Sequence, residues 1–127
     1  MTVKELMEKQ HRLMAAINPA YINLYQPIKY TEVAPLAAKA LTKAKTDETV
    51  MLTTALTSEL HEVLRELPWK PWKRNNPPID REKLQEEIAD CWHFLLELTM
   101  LWNMEDEIEE TLNKTFLKNH TRAVNGY

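Results

Sequence analysis

The chain has 127 residues, with 16 Lys or Arg against 19 Asp or Glu, and a formal net charge of -3 this small advertises neither a nucleic-acid surface nor a membrane surface. A single glycine, Gly126, stands beside the C-terminus, which excludes the interior glycine loops needed for hairpin turns, Walker-type phosphate cradles and dinucleotide fingerprints. What remains is rich in Leu, Glu, Lys, Ala and Met, and predicts one all-α domain over residues 1–127.

In chain order, Thr2 is the expected cap of the first helix, with Glu5 reaching back as in a capping box, and the helix runs to about Ile17. Val3, Leu6, Met7, Leu13, Met14 and Ile17 form its apolar stripe, and the polar Gln10 falls in the middle of it. The segment "NPAYINLYQPIKY" holds two prolines and no sustained period, so it reads as an ordered loop. A second, Ala-rich helix is expected over roughly 32–45, with Pro35 in its first turn. A third, over roughly 47–67, turns Leu52, Leu56, Leu60, Val63, Leu64 and Leu67 inward until Pro68 stops it.

The loop from Pro68 to Ile79 contains four prolines and two tryptophans. Asp80 caps a fourth helix running to about Trp102, with Leu84, Ile88, Cys91, Phe94, Leu95, Leu98 and Trp102 inside. A fifth opens at Asn103, with Asp106 three residues on, and continues past Phe116 towards a short tail, "AVNGY". Cys91, the only cysteine, cannot form an internal disulfide and points to a reducing compartment, the cytoplasm. Neither a signal peptide nor a membrane span is expected, since the longest apolar run, "HFLLELTMLW", is short and interrupted by Glu97.

Two of these helices place acids where apolar residues belong. Glu59 and Glu62 are one turn apart on one face of the third helix, with Glu66 continuing the track, and Glu87 and Asp90 repeat the spacing on the fourth. Laid antiparallel, the two helices bring four carboxylates together, which repel one another unless protons or cations sit among them. Their hard oxygen ligands suit Mg²⁺ or Mn²⁺ and give no preference for Zn²⁺. Either pair by itself is commonplace on a solvated helix face; facing each other, the pairs make a candidate metal site.

The rest of a polyphosphate site is also available. Lys70 and Lys73 in "WKPWK" can hold phosphate and Trp69 or Trp72 can wall a base, although the same tryptophans would serve to fold the loop over the core. Lys114, Lys118 and Arg122 recur at i, i+4 and i+8 with Asn119 beside them, either a solvated basic face or a row of anion donors. His93, one turn after Asp90, is read as a hydrogen-bonded core residue and His61 as a surface one; Glu66 and Glu86 are secondary candidates for the metal's surroundings.

These blocks together resemble the all-α NTP pyrophosphatase superfamily, in particular its dimeric dUTPase and phage dCTPase/dUTPase branch, with the MazG-like enzymes as wider relatives. "LMEKQHRLMAAI" is similar to the family's first helix, "ELHEVLRELPWKPWK" to its first acidic helix and tryptophan-lysine loop, "EEIADCWHFLLEL" to its second acidic helix, and "RAVNGY" to its closing motif. The resemblance implies Glu59, Glu62, Glu87 and Asp90 as ligands of two or more Mg²⁺ ions, with Glu59 or Glu62 also positioning the attacking water. It puts Gln10 and the tryptophan loop near the nucleoside, and Asn119, Arg122 and Tyr127 on sugar or phosphates.

The family's Lys-Asn pair, seven and six residues before the arginine, is replaced here by Thr115 and Phe116, which leaves Lys114 or Lys118 for that duty, and Ala123 stands where the family has glutamine. The implied reaction is hydrolysis of dUTP, dCTP or both to the monophosphate and pyrophosphate by attack at the β-phosphorus, in a homodimer or homotetramer. This would be nucleotide-pool control of a phage-like kind, with no nucleic-acid or membrane partner. Two other readings remain open at this point: a purine-specific MazG-like enzyme, and a non-catalytic helical protein whose acids pair with a basic partner.

Overall fold

A computed structural model of the chain describes residues 1–75 and 78–126, except for the side chain of Ile22. These residues are helical, without strands: α1 (Val3–Ile17), a single turn α2 (Tyr21–Leu24), the long α3 (Pro35–Arg65), α4 (Arg81–Leu101) and α5 (Ile108–Val124). The all-α class is therefore the observed one.

The local rules explain the two helix starts that follow expectation. Thr2 Oγ1 accepts from the Glu5 amide at 3.1 Å while Glu5 Oε2 accepts from the Thr2 amide at 2.7 Å, which satisfies two otherwise orphaned donors of α1. Asp80 Oδ1 likewise accepts from the Lys83 amide at 3.2 Å and caps α4.

Three expectations are corrected. The helices expected over 32–45 and 47–67 are one helix, α3. No glycine or proline separates them, and Lys43 bridges the junction to Asp47 at 2.8 Å while Thr46 and Thr49 bond back to the carbonyls one turn earlier. The loop after α1 contains the turn α2, whose approach is set by the Asn18 side chain accepting from the Ala20 amide. Finally, α5 opens at Ile108 and not at Asn103. Asn103 adopts a left-handed conformation, φ 57°, and its Nδ2 donates to the Tyr25 carbonyl at 2.8 Å, so it ends α4 instead of capping α5.

The core gathers around α4. Met7 of α1, Tyr21 and Tyr25 of the α2 turn, Leu52 of α3, and Leu96, Met100 and Leu101 of α4 are buried together. Helices α3 and α4 run antiparallel, because Lys45 and Thr49 meet Leu101 and Trp102 at one end while Glu59 meets Glu87 and Asp90 at the other. At the first end the buried Lys45 donates to the Leu101 carbonyl and to Asn103 Oδ1 at 3.4 Å, lies 5.9 Å from the centre of the Trp102 ring, and Trp102 Nε1 donates to Thr49 Oγ1 at 2.8 Å. Burial pulls the Lys45 ammonium below its ordinary pKa, partly offset by Glu105.

Much of the expected interior is not covered by this single chain. Leu60, Leu64, Ile88 and Leu95 are exposed, Trp92 is 58% exposed, and α5 buries no residue at all, leaving Leu112, Phe116, Leu117 and Val124 in solvent. Helical periodicity identifies an apolar face but not what lies against it.

Candidate metal centre

The acidic end of the α3–α4 pair is where the site forms. Glu59, partly buried, arrives from α3, while Glu87 and Asp90 are one turn apart on α4, and one carboxylate oxygen from each lies within 4.8 Å of the others. The Glu87 carboxyl is pushed above its ordinary pKa, first by desolvation and then by the negative charges of Asp90, Glu62, Glu59 and Glu66. The Cys91 thiol, buried beside them, is raised by burial and by Glu59, Asp90 and Glu87.

Glu62 stands next to this triad without joining it. Its Oε1 accepts from Arg65 Nη1 at 2.7 Å, one turn further along α3, while its charge still reaches Glu87. An all-oxygen set of like charges held by two helices, Glu59 and Glu87 partly buried and Asp90 exposed, fits a hard divalent cation, and no basic side chain is placed among the three by any described ion pair.

The tryptophan loop closes over the end of α3 beside the acids. Trp69 and Trp72 meet edge to face with ring centres 6.0 Å apart, and Lys70 Nζ lies 5.6 Å from the centre of the Trp69 ring. Trp69, Lys70 and Lys73 line a pocket of about 260 Å³ together with Arg65, Glu66 and Asn75. A basic, aromatic recess therefore adjoins the carboxylates through the Arg65–Glu62 pair. Trp72 is 69% exposed.

Gln10 sits elsewhere on the structure. Its Nε2 donates to Glu97 Oε1 at 2.7 Å, bridging α1 to α4. Lys114, Lys118, Asn119 and Arg122 all lie on α5 and are exposed; Lys114 pairs with Glu110 at 3.0 Å, and no described hydrogen bond or ion pair ties the four to the acids within this chain. Tyr127 falls outside the described residues.

Several polar groups of the interior were not singled out by the sequence. Glu97 is buried and raised, by desolvation first and also by Glu48, while the Gln10 hydrogen bond and His93 oppose the shift. Glu48 is raised by desolvation. The hydroxyls of Tyr21 and Tyr25, whose rings stack 3.8 Å apart, are buried without a partner of hydrogen-bond geometry among the described residues, and burial raises both phenols. The one signal for Glu97 in the sequence is its spacing, seven residues and so nearly two full turns after Asp90, which keeps it on the same face of α4.

An all-helical chain with convergent carboxylates on antiparallel helices and a lysine-tryptophan recess beside them has the make-up of a nucleotide pyrophosphohydrolase. The model of the dUTPase family matches residues 2–124, nearly the whole chain, and the chain belongs to that family. No curated protein and no solved structure matches it. Among the described residues no helix is long and apolar enough to cross a membrane.

Proposed function

We propose that the chain hydrolyses dUTP, dCTP or both to the nucleoside monophosphate and pyrophosphate with Mg²⁺, or Mn²⁺ in its place. The observation that carries this reading is the triad of Glu59, Glu87 and Asp90 on two antiparallel helices, in a chain of the dUTPase family. Those three carboxylates, joined by Glu62 once it releases Arg65, would hold two or more ions. Bound Mg²⁺ supplies Lewis acidity to the phosphate oxygens and lowers the pKa of water.

The protein's own groups do the rest. Glu62 holds the attacking water and takes its proton, with Glu59 fixed beside it. The water oxygen forms a bond to the β-phosphorus, the bond from that phosphorus to the oxygen bridging the α-phosphorus breaks, and the bridging oxygen leaves with the monophosphate. Lys70, Lys73 and Arg65 neutralise charge on the phosphates, including the charge growing on the oxygen of the leaving monophosphate, and Trp69 and Trp72 shield the site from bulk water. No covalent intermediate is needed.

Exposed apolar side chains on α3, α4 and α5 support a homodimer or homotetramer, whose assembly would also offer the Lys114, Lys118, Asn119 and Arg122 row a phosphate to face. The testing experiment is turnover of a panel of deoxynucleoside triphosphates with and without Mg²⁺, reading released pyrophosphate. Preferred turnover of dGTP or dATP would replace this reading with the purine-specific one, and no Mg²⁺-dependent turnover of any would return the chain to a binding role. Light scattering on the same sample reads the oligomeric state.

A further inference from the structure

Glu62 has two claimants on α3. Glu59, Glu62 and Arg65 follow one another at three-residue steps, so the Glu62 carboxylate stands between an acid that belongs to the triad and a guanidinium that does not. In the unliganded chain the guanidinium holds it: Arg65 Nη1 donates to Glu62 Oε1 at 2.7 Å, and the triad forms without Glu62. The carboxylate is nevertheless close at hand, since its charge bears on the Glu87 carboxyl more strongly than that of Glu59, which is a member of the triad.

The hold of Arg65 is light. Its side chain is 70% exposed, and the described bond uses one nitrogen of a guanidinium fork that can offer two to an oxyanion. Arg65 also lines the recess with Lys70 and Lys73, so the side chain that restrains Glu62 borders the place where the chain gathers positive charge. A phosphate there presents the fork with two oxygens and more negative charge than one carboxylate, and outcompetes Glu62 for it.

We propose that Arg65 is a positioning residue that keeps Glu62 off the metal triad until a polyphosphate draws the guanidinium into the recess, so that phosphate and divalent cation each tighten the binding of the other. The inference rests on the metal-centre reading of Glu59, Glu87 and Asp90 and adds to it a switch that completes the site only when substrate is present. Because the coupling is reciprocal, a cation that recruits Glu62 also releases Arg65 for phosphate.

The test is a double-mutant cycle of the wild type, Arg65→Met, Glu62→Gln and the double variant, read by calorimetry with each probe alone: Mn²⁺ without phosphate, and pyrophosphate with a chelator. Both positions lie on the helix surface or near it, and melting curves show that each variant is folded. Arg65→Met is expected to tighten Mn²⁺ binding about threefold, the weight of one exposed ion pair, and to do nothing in the Glu62→Gln background. Glu62→Gln is expected to tighten pyrophosphate binding about threefold, and much less in the Arg65→Met background. A gain of the same size in both backgrounds is a general charge effect and overturns the inference, as does no gain, or a wild type that does not bind pyrophosphate; each of these leaves the metal centre standing. A wild type that binds no Mn²⁺, or an Asp90→Asn variant that binds it as tightly, overturns the metal centre and this inference with it.

Discussion

The two ends of the α3–α4 pair both set charged groups against packed helices, and they treat them in opposite ways. At the core end, Lys45 is given the Leu101 carbonyl, the Asn103 side chain and the face of Trp102, while Trp102 is itself held by Thr49. Every strong donor there has an acceptor, and the result is a joint that fixes the helix pair. At the acidic end Glu59, Glu87 and Asp90 converge with no basic partner in any described ion pair, and the Glu87 proton is held more tightly than usual, by desolvation first and then by the charges of Asp90, Glu62, Glu59 and Glu66. Buried polar groups that are fully paired hold a fold together; like charges brought into one cluster store an unmet demand that a ligand can satisfy.

The contrast can be broken at either end. Asp90→Asn removes one of the converging oxygens' charges and is expected to lower Mg²⁺-dependent kcat by at least about 100-fold, beyond the ~10–100-fold typical of disturbing a metal ligand's outer partners, with the metal-free melting temperature unchanged or higher. Retained turnover in that variant would show that the acids do not form the site. At the other end Leu101→Ala, which empties the most deeply buried side chain of the core, should cost about 2–5 kcal/mol by denaturant titration. A loss below about 1 kcal/mol would mean the joint is looser than its burial indicates.

Lys45→Met keeps the volume and deletes the donor, leaving the Leu101 carbonyl short of a partner; a loss of about 1–3 kcal/mol is expected, without a change in kcat. Falling turnover in the folded variant would show that the two ends are not separate in their duties. The gentlest test is pH. The carboxyls of Glu87, Glu48 and Glu97 all have folded-state pKa values raised above 4.5, so the folded chain binds more protons than the unfolded one just above that pH. Metal-free stability is therefore greatest below about pH 4.5 as far as these groups are concerned, and is lost as pH rises through their raised values. Melting curves across that window should show the decline, and Glu87→Gln should flatten it; a rise in stability through the same window would contradict the raised values.

What the sequence made legible was local. The Thr2–Glu5 box and the Asp80 cap are decided within four residues of chain, and the acid pairs declare themselves by i, i+3 spacing. The capping role expected of Asn103 failed because its side chain is claimed by the Tyr25 carbonyl, 78 positions away, a contact no local pattern encodes. Lys45 was hidden for the same reason, its partners lying 56 and 58 positions downstream. The break expected in α3 falls in a run of polar residues over 45–49, but polar residues do not stop a helix; only a residue that cannot continue it does.

In the site, Glu59, Glu87 and Asp90 were legible and are brought together, while Gln10 was legible as a polar interruption but not as one half of a pair. Glu97, read from the sequence, serves only to argue against a membrane span. The basic row on α5 stays apart from the acids within one chain, because helical spacing says which residues share a face and nothing of where that face is carried.

The continuity of α3 has one more consequence. Lys45 and Glu59 are separated by 14 residues of uninterrupted helix, about 21 Å, so the anchor and the acid are locked in phase on one rod. Inserting a single residue between them would swing Glu59 about 100° around the axis and off its partners, although every side chain survived. A residue added between Lys29 and Tyr30, ahead of α3, has no such leverage. The chain thus keeps its chemistry in a measured length, and that length tolerates substitution far more readily than it tolerates a change in count.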